Sequence, residues 1–262
     1  MQNLKGKIAW VTGAGSGIGE AGAIALAREG ATVILTGRRK EPLEAVAARI
    51  NAQGGGKALA RPADVSKAAA VQGIADAIRA EQGRLDILVN NAGINIPDRS
   101  WQRLEAKGID TVIQGNLTSA FYVAHAALPI MRAQKDGLMI HTASWAGRHI
   151  GPISGPAYTA AKHGMVAMSH TLNLEEGQNG IRSCVICPGE VATPILLKRP
   201  IPETPETMAR MIQSEDMGEL IAFIAKQPAH VCINEVLISP THNRGYIGAM
   251  RARAAQMAGQ AT

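Results

Sequence analysis

A tyrosine and a lysine four residues apart, Tyr158 and Lys162, form the pattern with the clearest chemical meaning in this chain. A tyrosine hydroxyl has a pKa of about 10, so a tyrosine that exchanges protons near neutral pH needs a neighbouring cation to lower that value. Residues four apart on a helix project from one face, with their Cβ atoms about 5–6 Å apart. The pair therefore predicts an activated tyrosine, although the spacing alone, without the rest of the sequence, is more typical of a surface pair.

A glycine-rich turn lies near the N-terminus, between a short apolar run at 7–12 and an Ala- and Leu-rich segment. This order predicts a strand, a turn and a helix. Glycines permit positive φ and close approach of a pyrophosphate, which the N–H groups of a helix N-terminus bind. Because the strand ends near Thr12, we assign the turn to Gly13, Gly17 and Gly19, and Gly22 to helix packing. The predicted phosphate contacts are Gly13, Gly15, Ser16, Gly17, Ile18 and Gly19, with an unliganded turn as the alternative.

The second apolar run, at 32–36, ends in cations rather than in an acid. Sites for NAD commonly carry Asp or Glu at this point, whereas here Arg38, Arg39 and Lys40 follow. Guanidinium groups suit the oxygens of a 2′-phosphate. The sequence therefore favours NADP(H), with NAD(H) possible, and a solvated basic loop is the alternative.

Further motifs follow one another along the chain. They are Thr12-Gly13-x-x-x-Gly17-Ile18-Gly19, Asp64-Val65, Asn90-Asn91-Ala92-Gly93, Asn116, Ser144, Tyr158-x-x-x-Lys162 and Pro188-Gly189-x-Val191-x-Thr193. Each motif alone is weakly specific. Together, over about residues 4–242, they make the chain resemble the short-chain dehydrogenase/reductase family.

The resemblance implies a set of site residues and an assembly. The implied catalytic residues are Asn116, Ser144, Tyr158 and Lys162. The implied cofactor contacts are Asp64 and Val65 at the adenine, Asn90, Ala92 and Gly93 along the cofactor, and Pro188, Gly189, Val191 and Thr193 around the nicotinamide. The family also suggests a homotetramer or homodimer, with helices near 111–133 and 157–178 as candidate interfaces.

Hydride transfer to a ketone builds negative charge on the carbonyl oxygen, so a proton donor and a fixed hydrogen-bond donor must meet there. Tyr158 and Ser144 suit these roles. Lys162 is expected to lower the Tyr158 pKa and hold the nicotinamide ribose. Asn116, on a helix beginning near Asp110, is expected to hold a water that relays protons. As alternatives, Ser144 could merely end a strand and Asn116 could be a helix-interior amide.

These roles predict an oxidoreductase that moves a hydride between NADP(H) and a ketone or secondary alcohol of a small or medium substrate. A 3-oxoacyl thioester reductase and a non-catalytic, cofactor-binding regulatory protein are the alternatives.

Length and composition fit one α/β domain. The chain has 262 residues, is 46% hydrophobic and contains no Pro/Gly/Ser-rich linker. Alternating strands and helices predict a doubly wound, Rossmann-type parallel sheet of about seven strands with helices on both faces. The predicted strands lie near 7–12, 32–36, 57–60, 85–90, 137–143, 181–186 and 234–239.

Several other classes of function are disfavoured. No apolar run reaches the roughly 18 residues of a membrane span and no leader is evident, so we expect a cytoplasmic protein. The net charge of +6 is scattered and aromatics are only 3%, which argues against nucleic acid. Cys184 and Cys187 fall in an apolar run and are expected to be buried thiols rather than metal ligands or a redox pair. No metal-site or serine-hydrolase motif is present.

The substrate side of the site is the least determined by sequence. The segments that would face it offer Trp145, Arg148, His149, Ser154 and Asn95, an apolar wall with cations nearby. A flap is expected at about 190–215, stiffened by three prolines in 198–205. The last strand lacks the family's usual Asp-Gly-Gly. A basic tail at about 244–262 could form a helix against a partner subunit, but fraying beyond about Ala255 is favoured.

Overall fold

The computed structural model describes residues 2–199 and 203–259, and its centre is a sheet of seven parallel strands. The strands in this part of the chain, numbered β1 to β9, are Ile8–Thr12, Thr32–Thr36, Lys57–Ala60, Ile87–Asn90, Gly137–Thr142, Ile181–Pro188, Val191–Ala192, Ile212–Gln213 and Glu235–Ile238. The order across the large sheet is β3-β2-β1-β4-β5-β6-β9, while β7 and β8 pair separately. The order reverses direction between β1 and β4, which opens a crevice at their carboxyl ends.

Helices cover both faces of the sheet. Within the described residues they are α1 to α9, at Gly17–Arg28, Lys40–Gln53, Ala68–Gln82, Ala106–Ile113, Ser119–Gln134, Pro156–Glu176, Pro205–Met208, Ser214–Ala225 and Arg244–Gly259. A π-helical turn, Gln114–Thr118, joins α4 to α5. The helical segment that carries Asn116 thus begins at Ala106, about one turn before the predicted start near Asp110.

Side chains alternate between the two faces of each strand, as the two-residue repeat of a strand requires. Ala9 and Val11 of β1 pack with α1, α2 and α8, whereas Ile8 and Trp10 pack with α3 and α5. Because both faces are buried, the central strands are mostly apolar rather than alternating between apolar and polar residues, as is usual in parallel sheets. This arrangement confirms the predicted doubly wound α/β fold, and each predicted strand lies within two residues of an observed one.

The cysteine pair takes the predicted buried positions. Cys184 lies in the core beside α1, and Cys187 lies in the core on the opposite face beside α6. Burial raises the pKa of Cys184 to about 12 and of Cys187 to about 11, so both stay protonated thiols. Both are free, as is the exposed Cys232.

The C-terminal segment is more regular than expected. Helix α9 continues to Gly259, so the predicted fraying beyond about Ala255 is wrong for the described residues. Nearly all of its side chains are exposed, including Met250 and Met257. The residues after Gly259, the end of the predicted tail, lie outside the described part, as do 200–202 of the predicted flap.

The helices predicted as candidate interfaces carry exposed apolar side chains, Phe121 on α5 and Leu174 on α6. Subunit assembly itself stays a prediction. None of the helices within the described residues combines the length and apolarity needed to cross a membrane.

His141, in strand β5, is an ionisable group in the core. It is fully buried, and neither ring nitrogen has a hydrogen-bond partner among the described residues. Burial lowers its pKa to about 3, because a charged imidazole loses its hydration there. The unfolded chain binds this proton below its ordinary pKa of about 6.5, whereas the folded chain does not. The contribution of His141 to the free energy of unfolding is therefore fully present above about pH 6.5 and is lost as the pH falls toward 3.

We expect the change of His141 to leucine to flatten this acid dependence. Between pH 6.5 and 3 the unfolding free energy of the variant should fall less steeply than that of the wild type, by up to about 1.4 kcal/mol per pH unit. Urea unfolding at a series of pH values measures the difference. The matched change His125→Leu, at an exposed histidine, should keep the wild-type slope. Parallel curves for wild type and His141→Leu would contradict the assignment.

Candidate active site

One cavity of about 590 Å³ opens at the carboxyl ends of the central strands. It runs from the glycine turn after β1, past the ends of β4 and β5, to the start of α9. Its size suits a small-molecule site. Carboxyl ends of parallel strands at a reversal of strand order are where ligands of such folds bind.

The glycine turn at one end fits a dinucleotide phosphate. Gly13 and Gly17 have φ of +65° and +58°, values that other residues rarely adopt. A Cβ on Gly19 would lie 2.4 Å from the Gly13 carbonyl oxygen, so a residue with a side chain does not fit at this position of the turn. Ser16 begins α1 without a side-chain cap, which leaves the first N–H groups of the helix free to bind an anion.

The choice of turn glycines also agrees with packing. A Cβ on Gly22 would lie 2.8 Å from Ile221 Cδ1, so Gly22 serves the contact between α1 and α8, as predicted. Gly15 packs near Pro42, away from the cavity, and the predicted contacts Gly13, Ser16, Gly17 and Ile18 line the cavity.

The turn after β4 is held against the turn after β1. The Thr12 hydroxyl oxygen accepts hydrogen bonds from the backbone N–H groups of Asn91 and Ala92, both at 3.0 Å. The Asn91 amide donates to the Thr12 carbonyl at 3.2 Å. Sequence reasoning missed both roles, which the threonine before Gly13 and the doubled asparagine could have signalled.

The other residues of this turn divide between structure and cavity. Ala92 and Gly93 line the cavity, whereas Asn90 is buried and donates to the Ala120 carbonyl at 2.8 Å. The side chain of Asn90 therefore fastens α5 to β4 rather than facing a ligand.

The predicted adenine end lies outside this cavity, on the surface beyond β2 and β3. Arg38 and Arg39 are exposed, and neither makes an ion pair within the described residues. Asp64 accepts a hydrogen bond from Ser66 N at 3.0 Å. Burial raises the pKa of Asp64, but the Ser66 hydrogen bonds and the Arg38 charge outweigh it and lower the pKa overall. Arg38 and Asp64 are thus neighbours, and Val65 packs into the core beside them.

Three of the four predicted catalytic side chains meet in the cavity. Ser144 follows β5, and its hydroxyl accepts from Ala146 N at 3.2 Å. Tyr158 and Lys162 share one face of α6, with Lys162 Nζ 5.5 Å from the centre of the Tyr158 ring. Lys162 is 3% exposed and donates to the Thr142 carbonyl at 2.8 Å. The end of β5 therefore positions both the serine and the lysine.

Asn116, the fourth, lies in the π-helical turn and lines the same cavity. Its amide nitrogen donates to the carbonyls of Ile94 and Val112, both at 2.8 Å, and its oxygen accepts from Ile94 N at 3.2 Å. The side chain thus holds the loop after β4, and the water relay assigned to it stays a prediction. A Cβ on Gly93 would lie 2.8 Å from Asn116 Oδ1 and 3.5 Å from Lys162 Nζ, so this glycine lets the two approach.

The electrostatics of Tyr158 differ from the prediction. Burial raises its pKa, and the groups that oppose this rise are Ser144, Arg199 and Arg99 rather than Lys162. Burial also lowers the pKa of Lys162, to about 8, which weakens that cation. The expected lowering of the Tyr158 pKa by Lys162 is therefore wrong for the protein alone, because desolvation of both groups dominates.

The predicted substrate residues separate into two groups. Trp145, His149, Ser154 and Asn95 line the cavity, and the rings of Trp145 and His149 stack with centres 4.4 Å apart. Arg148 does not line it, because its guanidinium pairs with Glu235 and contacts His170. Arg148 precedes His149 in sequence but points to the far side of the loop.

The nicotinamide segment joins the flap. Its predicted residues line the cavity: Pro188, Gly189, Val191 and Thr193. Glu190 between them is bound by Arg199 at 3.0 Å and by Arg244 at 2.7 Å. Glu203 is bound by the same two arginines, with Arg244 Nη1 at 2.9 Å. We call these four residues the flap cluster; it ties the flap to the first residue of α9.

The hydrogen bonds of the flap cluster also set its protonation. Burial raises the pKa of Glu190, but bonds from Arg244 and Arg199 outweigh it and lower the pKa overall. Arg244 likewise lowers the pKa of Glu203. Next to the cluster, Tyr246 packs edge-on against Trp145, with ring centres 5.8 Å apart. Sequence reasoning missed the cluster, since only Arg199 and Glu203 are close in sequence and no pattern links them to Glu190 or Arg244.

The fold and this site define a dinucleotide-binding class of α/β oxidoreductase. The family model described as short chain dehydrogenase matches residues 7–202. Over 240 residues the chain is 35% identical to an uncharacterized oxidoreductase of Staphylococcus aureus (strain MRSA252), covering 92% of this chain and 100% of that protein. Levodione reductase of Leifsonia aquatica is 35% identical over 238 residues, covering 85% of this chain and 88% of that protein.

A solved structure agrees with these relatives. It is that of a metagenomic short-chain oxidoreductase in complex with NADP, with a TM-score of 0.79 and 33% identity, covering 92% of this chain and 99% of that one. The chain therefore belongs to the short-chain dehydrogenase/reductase family and is an oxidoreductase of that family. The predicted resemblance is confirmed.

We expect the change Arg244→Met to loosen the flap, because two carboxylates would then share one guanidinium. Chymotrypsin should cut within 194–208 roughly fivefold faster, as loss of about 1 kcal/mol from a part-exposed ion-pair network gives. Mass spectrometry locates the cuts. The control Arg251→Met removes an exposed cation from the same helix and should leave the rate unchanged. Equal cleavage of the two variants would show that the flap cluster does not hold the flap.

Proposed function

We propose that the protein reduces a ketone, or oxidises the matching secondary alcohol, of a small or medium substrate with NADP(H) as cofactor. The observation that carries the proposal is the meeting of Ser144, Tyr158 and Lys162 in a cavity whose other end is the glycine turn. A site for hydride transfer needs a proton donor, an oxygen-binding donor and a cofactor cradle along one cavity. This cavity supplies all three.

The roles of the side chains follow from where they lie. The Ser144 hydroxyl would donate a hydrogen bond to the substrate carbonyl oxygen, and the Tyr158 hydroxyl would give that oxygen its proton. A raised pKa keeps Tyr158 protonated at neutral pH, which is the form that reduction requires. Lys162, fixed on the Thr142 carbonyl, would hold the nicotinamide ribose. NADPH, when bound, supplies the hydride that reaches the carbonyl carbon.

The cofactor preference is proposed from the cations after β2. Arg38 and Arg39 are exposed, and they follow β2 where a site for NAD commonly has the Asp or Glu that binds the ribose. Their planar forks match phosphate oxygens. The metagenomic relative whose structure was solved with NADP supports the same choice. We propose NADP(H) as the preferred cofactor, with NAD(H) accepted more weakly.

Tyr158→Phe tests the mechanism. Removing the hydroxyl deletes the proton donor and leaves the ring in place, so kcat/KM for ketones should fall by about 10²–10⁴-fold. Fluorescence titration should show NADPH binding near the wild-type affinity.

The matched control is Tyr122→Phe, the same chemical change on a half-buried tyrosine of α5 outside the cavity, and its turnover should be normal. Near-normal turnover of Tyr158→Phe would refute the proton-donor role. Tight NADPH binding by the wild type without turnover of any carbonyl compound would favour the regulatory alternative.

The double change Arg38→Ser and Arg39→Ser tests the cofactor. The KM for NADPH should rise at least about tenfold, as loss of charge-assisted hydrogen bonds to a phosphate requires, whereas the KM for NADH should stay within about twofold. Arg79→Gln, which removes an exposed cation on α3, controls for overall charge. Equal changes in the KM for NADPH and for NADH would show that these arginines do not bind the 2′-phosphate.

A further inference from the structure

Arg99, which the sequence did not single out, lines the catalytic cavity. It belongs to the loop between β4 and α4, and it is half-buried. Its charge acts on Tyr158, where it favours the ionised phenol and opposes the rise in pKa that burial causes. The guanidinium therefore lies on the substrate side of the site, near the group proposed to give the proton.

Two contacts fix the position of Arg99 relative to Tyr158. Gly155, three residues before Tyr158, has φ of +79°, and a Cβ there would lie 2.4 Å from the Arg99 carbonyl oxygen. The Asn95 amide donates to the Ser154 carbonyl at 3.0 Å. The loop that carries Arg99 thus rests directly on the segment that begins α6.

Arg99 has no carboxylate to pair with in the described residues, although other cavity arginines do. In the flap cluster, the two guanidinium groups of Arg199 and Arg244 balance the two carboxylates of Glu190 and Glu203. The residues between the two described ranges, 200–202, are Pro, Ile and Pro, none of which is acidic. Burial, with a smaller contribution from Arg199, lowers the pKa of Arg99, as expected for a cation without a counter-charge.

A guanidinium that is partly buried and has no carboxylate partner is stabilised when an anion from outside the chain binds to it. Its planar fork matches a carboxylate with two parallel hydrogen bonds. The apolar residues Ile94, Ile96, Ile153 and Leu196 line the same cavity and would suit the hydrocarbon part of the same molecule.

We propose that Arg99 binds a carboxylate of the substrate, so that the protein acts on a keto acid or the matching hydroxy acid. This inference rests on the proposed function, because it places the ketone of that molecule at Tyr158. It adds a specificity-determining residue and a substrate class to the reaction.

The test compares paired substrates with NADPH. α-, γ- and δ-keto acids are assayed beside their methyl esters, and the readout is the ratio of kcat/KM for acid over ester. In the wild type this ratio should be at least about tenfold in the best pair, as a charge-assisted hydrogen bond gives. Arg99→Met should bring the ratio to about one, and Arg99→Lys should keep part of it. Since any effect of Arg99 on Tyr158 acts on acid and ester alike, it cancels in the ratio.

Arg103→Met is the matched control, because Arg103 lies on the same loop, is exposed and does not line the cavity. It should leave the ratio unchanged. If wild type reduces ketones but shows no preference for the acid, or if Arg99→Met keeps the preference, the inference fails while the ketone reductase stands. If no ketone of any pair is reduced, the proposed function fails as well.

Discussion

The close approach of two backbone turns, one after β1 and one after β4, is the constraint on which the rest of the site depends. A Cβ on Gly13 would lie 2.9 Å from Asn91 Nδ2 and 3.1 Å from Ala92 Cα, so any larger residue would push the turns apart. The Thr12 hydroxyl then binds the backbone of both Asn91 and Ala92. Because both turns leave the sheet at the reversal of strand order, their contact fixes the floor of the cavity.

The position of these two turns also determines where the residues predicted as catalytic lie. Once Ala92 is fixed, Gly93 lies between Asn116 and Lys162, where only a residue without Cβ fits. Asn116 in turn holds the backbone of Ile94, which begins the loop that carries Arg99. A chain of short contacts, in which the side chains of Thr12 and Asn116 bind backbone groups, therefore connects the phosphate turn to the substrate wall.

Desolvation is the main influence on the pKa values of Tyr158 and Lys162. Lys162 is almost fully buried with one carbonyl partner, and the loss of hydration on burial lowers its pKa to about 8. Tyr158 responds to the same environment in the opposite direction, since burial disfavours the charged form of each group. The site thus favours a neutral phenol in the protein alone, and positive charges near it, Arg99 and Arg199, limit that preference.

Much of the fold could be predicted because its signals are local. Buried parallel strands have short apolar sequences, so the strand positions could be predicted from neighbouring residues. The end of the first apolar run also showed where the turn begins, which favoured Gly13 over Gly22 as a turn glycine. The residues predicted as catalytic came from the family resemblance, which rests on motifs that are also local in sequence. The direction of the pKa shift of Tyr158 did not, because spacing places Lys162 beside the phenol but says nothing of how deeply both are buried.

The substrate half resisted prediction because its contacts join distant segments. Glu190 and Arg244 are 54 positions apart, and no periodicity relates them. Adjacent residues also diverge: His149 faces the cavity while Arg148 turns to Glu235, since a loop has no fixed rule for side-chain direction. Side-chain bonds between distant segments, such as Asn95 to Ser154 and those of the flap cluster, hold these loops outside the seven-stranded sheet. Residues there can therefore change what the cavity accepts without disturbing the backbone contacts that build the cofactor half.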